Sequence, residues 1–304
     1  MHIITITGPT ASGKTVLAAH LANRLHAEII SADSRQVYRG MDIGTGKDMH
    51  DYCIDGVSIP YHLIDIRDAG QKYNLYEFQH DFHRVFANLT QQDKIPILCG
   101  GTGLYIESVL KGYQLLHVPE NKLLREKLAQ YTTQQLHQLL KSYGQLHNTT
   151  DLTTDKRCIR AIEIAEYTAN NTAELVAYPA IGGPIFCIDI SRDVRRARIS
   201  KRLKDRLDEG LIDEVAQLLE KNIAAQDLIY YGLEYKFVTL YLTKQITYNA
   251  MFTQLETAIH QFAKRQMTWF RGMEKRGFKL NYIDFNLSLA EKLEKMEEVL
   301  TSCR

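Results

Sequence analysis

The sequence predicts an α/β fold in which a parallel β-sheet is flanked by helices and carries a helical insertion. Three observations predict it. Short apolar runs alternate with helical periods along most of the chain, a pattern typical of a parallel sheet with covered faces. A glycine loop stands between the first apolar run and the first helical pattern, and the interval 113–180 has no convincing strand. With 304 residues and 45% hydrophobic content, the chain can build one large or two modest domains.

The predicted strands are short apolar runs of a length suited to buried strands. They lie at 2–7, 28–31, 62–66, 95–101, 184–191 and, with a weaker pattern, 280–285. Helical patterns fill most of the intervals, and SLAEKLEKMEEVL forms the last predicted helix.

The interval 113–180 has helical periods around NKLLREKLAQY, TQQLHQLLKSY and TDKRCIRAIEIAEYT. We therefore predict a core domain of residues 1–112 and 181–304 and a helical insertion domain of residues 113–180. The sequence contains no repeat of 20–50 residues, which excludes a solenoid.

The first glycine loop is a candidate phosphate-binding site. Residues 4–15, ITITGPTASGKT, fit the pattern G-x-x-x-x-G-K-[ST], with a β-branched strand before the loop and an amphipathic helix after it. Such a loop presents backbone N–H groups and a helix N-terminus to an anion, while Lys14 adds a charge and Thr15 a hydroxyl ligand for Mg²⁺. We therefore expect a P-loop NTPase-like sheet. The predicted diphosphate-binding or nucleotide-binding residues are Gly8, Pro9, Thr10, Ala11, Ser12, Gly13, Lys14 and Thr15.

Any diphosphate fits a loop of this kind. The motif by itself therefore leaves open whether ATP or another diphosphate is the ligand.

The second predicted strand ends in SADSRQVYRGMDIGTGK, residues 31–47. Because the carboxyl ends of the strands line the ligand crevice of such a sheet, Asp33 and Ser34 should emerge beside the phosphate loop. An aspartate there can coordinate Mg²⁺, orient a loop as an Asx-turn or accept a proton from a nucleophile, and it can also be a simple turn former or helix cap. The residues alone leave these roles open.

The fourth predicted strand ends in GGTGLY, residues 100–105. Many nucleotide hydrolases place an acidic metal ligand after such a strand, whereas this chain has glycines and the hydroxyl of Thr102. The segment favours close backbone approach to a ligand over metal binding, and a tight strand-to-helix turn would leave Thr102 facing the same crevice.

Two basic stretches are candidates for a polyanion surface although the net charge is only +1. Residues 192–206, RDVRRARISKRLKDR, carry eight Lys or Arg against two Asp, and residues 264–279, KRQMTWFRGMEKRGFK, interleave aromatic rings with charge. Either stretch alone is equally consistent with a solvated helix face.

The composition excludes several classes of protein. No apolar run approaches the roughly 18 residues of a membrane-spanning helix, and the chain starts in a strand without a basic leader, so we expect a soluble cytoplasmic protein without a membrane partner. The cysteines are odd in number and lack the close pairs of disulfide frameworks or zinc sites, so most should be small core residues. They are Cys53, Cys99, Cys158, Cys187 and Cys303.

Five motifs occur in the order and spacing of a known family. They are GPTASGKT, SADSRQVYRGMDIGTGK, GGTGLY, KRCIRAIEI and FAKRQMTWFRG, and they extend from Gly8 to Gly272. Together they resemble the tRNA dimethylallyltransferase (isopentenyltransferase) family, which transfers a dimethylallyl group from dimethylallyl diphosphate to N6 of adenine 37 in tRNAs that read codons beginning with U. The resemblance implies that the loop holds the diphosphate of a prenyl donor. We expect a bacterial-type member, since the carboxyl-terminal zinc finger of eukaryotic members is absent, and a monomer.

The resemblance also implies catalytic roles for Asp33, Thr10 and Lys14. Asp33 would be the base that takes the proton of the N6 amine, and Thr10 would lie near the reacting centre. Lys14 and the loop amides, with an Mg²⁺ near Thr15, would stabilise the leaving diphosphate.

A tRNA substrate requires an RNA-binding surface, because the adenine must be flipped out of the anticodon loop. By resemblance the insertion binds the anticodon stem-loop, Arg265 and Arg271 close over the donor or bind RNA, and Trp269 is expected to be a core anchor. The residues that match tRNA-binding positions are Asp33, Ser34, Arg35, Gln36, Thr102, Arg125, Lys156, Arg157, Cys158, Ile159 and Arg160.

Two segments depart from the family pattern. The family's IGYKE is represented by YYGLEYK at 230–236, which retains only Gly232, and DIGTAKP is DIGTGKD here. The first departure affects part of the expected tRNA contact surface.

Three rival functions remain. A small-molecule kinase would turn over ATP, which the GGTGLY strand end disfavours. An adenylate isopentenyltransferase would prenylate free AMP, and it would have little use for an insertion that carries Arg125, Arg157 and Arg160. A non-catalytic RNA-binding module would not need Lys14, Thr15 and Asp33 together.

Overall fold

The protein was analysed as a computed structural model, which describes residues 2–144, 152–170 and 178–302. Its strands are β1 (Ile4–Thr7), β2 (Glu28–Ser31), β3 (Tyr38–Arg39), β4 (Cys53–Ile54), β5 (Val57–Ser58), β6 (Tyr61–His62), β7 (Arg67–Asp68), β8 (Pro96–Gly100), β9 (Ile185–Asp189) and β10 (Leu280–Asp284). Its α-helices are α1 (Lys14–Leu25), α2 (Leu75–Gln91), α3 (Gly103–Leu110), α4 (Lys122–Leu128), α5 (Thr133–Ser142), α6 (Asp155–Asn170), α7 (Arg192–Asp208), α8 (Leu211–Glu220), α9 (Ala225–Tyr231), α10 (Leu233–Leu242), α11 (Tyr248–Lys275) and α12 (Leu289–Ser302), and Met49–Tyr52 form a 3₁₀ turn.

A parallel sheet organises the core, with the strand order β10-β9-β1-β8-β2-β6. The chain first builds the β8, β2 and β6 side of β1 and then crosses to the other side with β9 and β10, so the strand order reverses at β1. In such sheets the ligand crevice lies outside the carboxyl ends of the strands at the point of reversal. The α/β fold class is therefore confirmed, and the loop that follows β1 opens into this crevice.

Apolar side chains pack on both faces of the sheet. On one face Ile4 and Ile6 of β1 pack with residues such as Leu17 of α1 and Met296 of α12. The other face packs against helices α2, α3 and α11, and all residues of β1 are buried. A central strand buried on both faces needs a continuous run of β-branched residues, which is the pattern seen in the sequence.

The predicted strand at 62–66 is wrong in its extent. Only Tyr61 and His62 pair in the sheet, because Leu63 and Asp65 adopt left-handed backbone conformations with φ of 62° and 54°. An L-residue with positive φ cannot continue a strand. Of the remaining apolar residues of this run, Leu63 and Ile64 are buried and Ile66 is partly buried, without being part of a strand.

Two compact units divide the chain: residues 1–112 with 179–304, and residues 113–178. The second unit contains α4, α5 and α6, and its small core includes Leu128, Leu136, Leu140, Cys158 and Ile162. Hydrophobic residues at helical spacing on α5 and α6 face one another, so the unit has an apolar core of its own.

Cys99, Cys158 and Cys187 are buried, as expected for small core residues, and Cys53 is exposed. Cys303 lies outside the described residues. In the described part of the chain, no helix has both the length and the apolar character needed to cross a bilayer.

Candidate active site

The phosphate loop connects β1 to α1 at the carboxyl edge of the sheet. Gly13 has φ of 81°, in the left-handed region that glycine adopts without strain, and Lys14 begins α1 directly after it. Gly8 allows close packing of the loop, since a Cβ there would lie 2.9 Å from Ser12 Oγ and 3.2 Å from Ile188 Cβ. The loop and the first turn of α1 together form an anion-binding site.

A buried glutamine fixes the phosphate loop. Gln266 of α11 accepts a hydrogen bond from the Thr10 backbone N–H at 2.8 Å through Oε1, and its Nε2 donates to the Gly101 carbonyl at 2.9 Å. It therefore joins the loop after β1 to the loop after β8. We did not single out Gln266 from the sequence, although it stands inside the motif KRQMTWFR.

Asp33 and Thr102 lie together at the carboxyl ends of β2 and β8, as the strand pattern predicted. Asp33 Oδ1 accepts from the Arg35 N–H at 2.8 Å and from the Gln36 N–H at 3.4 Å, which forms an Asx-turn. Thr102 Oγ1 accepts from the Ser34 N–H at 3.2 Å. The carboxylate of Asp33 is therefore held in a fixed orientation.

The charge of Asp33 acts on Lys14 at the carboxyl edge of the sheet. Burial lowers the pKa of Lys14, and the negative charge of Asp33 opposes this change. Burial raises the pKa of Cys99 to about 12, so this group is a neutral thiol at physiological pH. A carboxylate near the ammonium favours the charged form of Lys14.

A cavity of about 360 Å³ adjoins the phosphate loop. Its lining residues are Ala11, Gly13, Lys14, Thr15, Val16, Asp48, Asp51, Arg198, Lys201, Arg202 and Asp205. Arg198 Nε donates to the Ala11 carbonyl at 2.8 Å, and Arg202 Nη2 binds Asp48 Oδ2 at 2.6 Å. Lysine, arginine and backbone N–H groups converge here, which is the chemistry of a diphosphate site.

The donors around Thr15 fit Mg²⁺. Its hydroxyl shares the cavity with the carboxylates of Asp48 and Asp51, and Mg²⁺ prefers oxygen ligands. Burial, followed by the charge of Asp48, raises the pKa of Asp51. No cluster of three or more His, Cys, Asp or Glu able to hold a metal occurs among the described residues, so an Mg²⁺ here would need oxygens of the anionic ligand in addition to Thr15.

The two basic stretches predicted from the sequence meet at a second cavity, of about 600 Å³, between the start of α7 and the middle of α11. Its basic side chains are Arg192, Arg195, Arg196, Lys264 and Arg271, with His260 beside them. Burial, followed by the charges of Arg271 and Arg192, lowers the pKa of Arg195. Like charges crowded in this way favour an anionic partner.

In the insertion, two arginines are paired with a buried carboxylate of the same unit. Glu163, with 2% of its side chain exposed, binds Arg125 Nη2 at 2.7 Å and also pairs with Arg160. Cys158 is fully buried, so its thiol is not part of the surface. The exposed residues of KRCIR are Lys156 and Arg157.

The core unit also contains four further residues that the sequence singled out, namely Gln36, Arg265, Trp269 and Arg271. Trp269 packs against the core, and a Cβ on Gly103 would lie 2.1 Å from its Cδ1, in keeping with its expected role as a core anchor. Arg265 and Arg271 are exposed on α11. The Gln36 side chain donates to the Gly46 carbonyl at 3.0 Å and so supports the turn after β2.

Sequence reasoning missed Asp48 and Arg206 as well as Gln266. A signal for Arg206 was present, because Arg198, Arg202 and Arg206 recur every four residues and so lie on one face of α7. Asp48 carried no comparable signal, since its role depends on a turn that brings it to α7.

Family profiles and individual relatives match this chain along most of its length. The family profile described as IPP transferase matches residues 36–273, and the profile described as Isopentenyl transferase matches residues 1–56. The chain is 58% identical to tRNA dimethylallyltransferase 2 of Phocaeicola vulgatus, covering 98% of this chain and 97% of the relative. It is 59% identical to tRNA dimethylallyltransferase 1 of Porphyromonas gingivalis, covering 99% of each chain.

A solved structure is also similar along almost the whole length. The tRNA delta(2)-isopentenylpyrophosphate transferase of Staphylococcus epidermidis matches with a TM-score of 0.69 and 30% identity, covering 99% of both chains. With a family profile over most of the chain and relatives of this identity, the chain belongs to the IPP transferase family, whose members named here are tRNA dimethylallyltransferases.

Proposed function

We propose that this protein transfers a dimethylallyl group from dimethylallyl diphosphate to N6 of adenine 37 in tRNAs that read codons beginning with U. One observation carries the proposal beyond family membership. Lys14 follows β1 and Asp33 follows β2 at the carboxyl edge of one sheet, and the charge of Asp33 raises the pKa of Lys14 against the effect of burial. A site for a diphosphate leaving group thus adjoins a base for the nucleophile. The chain acts as a monomer in the cytoplasm and needs no membrane partner.

The leaving group is stabilised by the phosphate loop. The bond between the allylic carbon and the diphosphate oxygen breaks, and negative charge grows on the diphosphate. Gln266 fixes the phosphate loop at Thr10, and each well-placed donor of a preformed loop contributes roughly 3–4 kcal/mol to transition-state stabilisation. An Mg²⁺ held by Thr15 would add further neutralisation of the diphosphate charge.

The nucleophile is activated by Asp33. The N6 amine of adenine is weakly nucleophilic because its lone pair is delocalised into the ring. As the bond from N6 to the allylic carbon forms, the amine proton passes to the Asp33 carboxylate, and the diphosphate leaves with the electrons of the broken bond. The Asx-turn and the contact between Ser34 and Thr102 keep the carboxylate in one orientation.

The tRNA is recognised at its anticodon stem-loop. The adenine must be flipped out at a cost of a few kcal/mol, and contacts to the loop offset this cost. The turn at 33–36 with Thr102 lies at the crevice, where it can contact the flipped base and its neighbours. The exposed Lys156 and Arg157 of the insertion and the basic cavity of the core unit supply charges for the phosphate backbone.

Incubation with labelled dimethylallyl diphosphate and one of three acceptors tests the proposal. Unmodified tRNA with adenines at positions 36, 37 and 38 should yield N6-dimethylallyladenosine in nucleoside mass spectrometry. The same tRNA with guanine at position 37 is the matched control and should yield none. Prenylation of AMP in place of tRNA would assign the adenylate reaction, and turnover of ATP without prenyl transfer would assign a kinase.

A further inference from the structure

A buried arginine beside the phosphate loop is not used by the mechanism above. Arg206 of α7 is 8% exposed, and its Nη2 has no hydrogen-bond partner among the residues that the structure describes. The carboxylates that face it, Glu234 and Asp48, are 3.9 and 4.0 Å away, which is too far for a hydrogen bond. A buried charged donor without an acceptor is costly, and this points to an acceptor that the chain itself does not provide.

The position of Arg206 indicates what that acceptor is. Arg206 lines a cavity of about 20 Å³ together with Thr10 and Ala11 of the phosphate loop, Arg202 and Glu234. Such a volume accommodates one oxygen-sized group. The positive charges of Arg202 and Arg206 also lower the pKa of Lys14, so Arg206 acts on the same region of space as the ammonium of the phosphate loop.

Gly46 and Glu234 both adjoin this guanidinium. A Cβ at Gly46 would lie 2.0 Å from Arg206 Nη2 and 2.5 Å from Arg202 Nη2. Glu234 Oε1 lies 3.9 Å from Arg206 Nη1. The chain therefore has a small residue that makes room for Arg206 and a carboxylate that faces it.

We propose that Arg206 binds an oxygen of the donor's diphosphate group on the Thr10 side of the phosphate loop, and that Gly46 and Glu234 position its guanidinium for this contact. The inference rests on the proposed function, since it needs a diphosphate in the loop. Arg206 keeps its proton throughout, and its Nη2 donates to an oxygen whose negative charge increases as the donor's carbon–oxygen bond breaks. The charge-assisted hydrogen bond strengthens with that charge.

A purely structural role for Arg206 makes a different prediction. Burial raises the pKa of Glu234, and the charge of Arg206 opposes this rise. Removing Arg206 alone therefore leaves a carboxylate unpaired and disturbs the packing next to the loop. The double variant Arg206→Met with Glu234→Gln removes both charges, so it relieves that disturbance without restoring a donor for the diphosphate.

Calorimetric binding of pyrophosphate in the presence of Mg²⁺ tests the inference without tRNA. Arg206→Met and the double variant should both weaken pyrophosphate binding about 10- to 100-fold, as expected for the loss of a charge-assisted hydrogen bond. Lys204→Met, which removes an exposed cation from the same helix, is the matched control and should bind as the parent does. Thermal unfolding verifies that each variant is folded.

The variant Gly46→Ala provides a second test of the role of the Arg206 guanidinium in pyrophosphate binding. It should weaken pyrophosphate binding in the parent and cause a smaller loss in the Arg206→Met background, because only the Arg202 guanidinium then remains to be displaced. Parent-like pyrophosphate affinity in the double variant of Arg206 and Glu234 would overturn the inference and leave the proposed function intact. A parent protein that binds no pyrophosphate would overturn both.

Discussion

The phosphate-loop site and the helical insertion both concentrate arginines, but the two regions neutralise them to different degrees. Beside the phosphate loop, Arg206 faces carboxylates only at 3.9 and 4.0 Å, and its Nη2 has no partner among the described residues. In the insertion, Arg125 and Arg160 both bind the buried Glu163. The sequence carries arginines in both regions, and the placement of carboxylates decides which of them are left to bind an external anion.

The largest expected effect on turnover comes from substitution of Asp33, the proposed base of the phosphate-loop site. Asp33→Asn should lower kcat about 100- to 10,000-fold, because the amide cannot accept the proton of N6. Its side-chain oxygen can still accept the hydrogen bonds from Arg35 and Gln36 that hold the turn. Binding of dimethylallyl diphosphate should change little. Single-turnover kinetics and equilibrium donor binding are the measurements.

Asp33→Ala serves as the comparison for that variant. It removes the turn as well as the base, so turnover should fall at least as far as in Asp33→Asn. Near-parental turnover in Asp33→Asn, together with inactivity of Asp33→Ala, would show that Asp33 is a turn former only.

Lys14→Ala should damage both donor binding and rate, each by about 10- to 100-fold, since the ammonium interacts with the diphosphate before and during bond breaking. The pH dependence follows from the lowered pKa of Lys14. The protonated form binds the anion, so donor affinity in the parent should fall as pH rises, with a midpoint below the ordinary lysine value of 10.5. Lys14→Arg should move this loss to higher pH. A pH-independent affinity up to that value would contradict the assignment.

Substitution of Glu163 in the insertion should lower the stability of the fold and leave donor binding unchanged. Burial alone would raise the pKa of Glu163, but hydrogen bonds from Arg125, the Asn121 N–H and Arg160 lower it overall. Glu163→Gln should therefore reduce the free energy of unfolding at neutral pH by about 1.5 kcal/mol, a modest value because the arginines are partly exposed.

The pH dependence of this effect has a defined sign. A carboxylate with a depressed pKa stabilises the fold above its unfolded value, near 4.5, and that contribution disappears as pH falls through the lower folded value. The difference in unfolding free energy between the parent and Glu163→Gln should thus be constant above about pH 5 and vanish in acid. A constant difference down to pH 3 would show that charge is not the cause.

The smallest expected effect concerns the salt dependence of tRNA binding. Arg157→Ala, at an exposed position of α6, should reduce the slope of log affinity against log salt by about one unit. Arg160→Ala should reduce it less, because its guanidinium already binds Glu163 and the Val118 carbonyl. Arg196→Ala in the basic cavity of the core unit is the matched comparison. A parental slope for Arg157→Ala combined with a reduced slope for Arg196→Ala would assign the RNA backbone to the core surface alone.

The fold could be predicted from the sequence because local pattern determines most of it. The run at 28–31 became a strand with the same bounds, and the phosphate loop followed directly from its motif. The run at 62–66 did not, because the positive φ values of Leu63 and Asp65 depend on turn geometry that apolar periodicity does not encode.

The sequence predicted only those site residues that belong to a recognisable motif. Lys14 and Thr15 begin α1 after the loop that follows β1, and Asp33 follows the carboxyl end of β2, so the topology brings them to the same edge of the sheet. Gln266, Asp48 and Arg206 act through contacts between distant segments. The sequence also did not show that Arg160 is paired with a carboxylate whereas Arg157 is exposed, since this depends on the position of Glu163 in the insertion.

The bridge made by Gln266 has a consequence for folding during synthesis. The hydrogen-bond acceptor of the Thr10 N–H is synthesised 256 residues after Thr10 itself. A growing chain therefore carries the complete phosphate motif before it has the helix that holds this motif in place. Contacts of such sequence separation form late and slowly. The ability to bind a diphosphate should thus appear only after α11 has been synthesised.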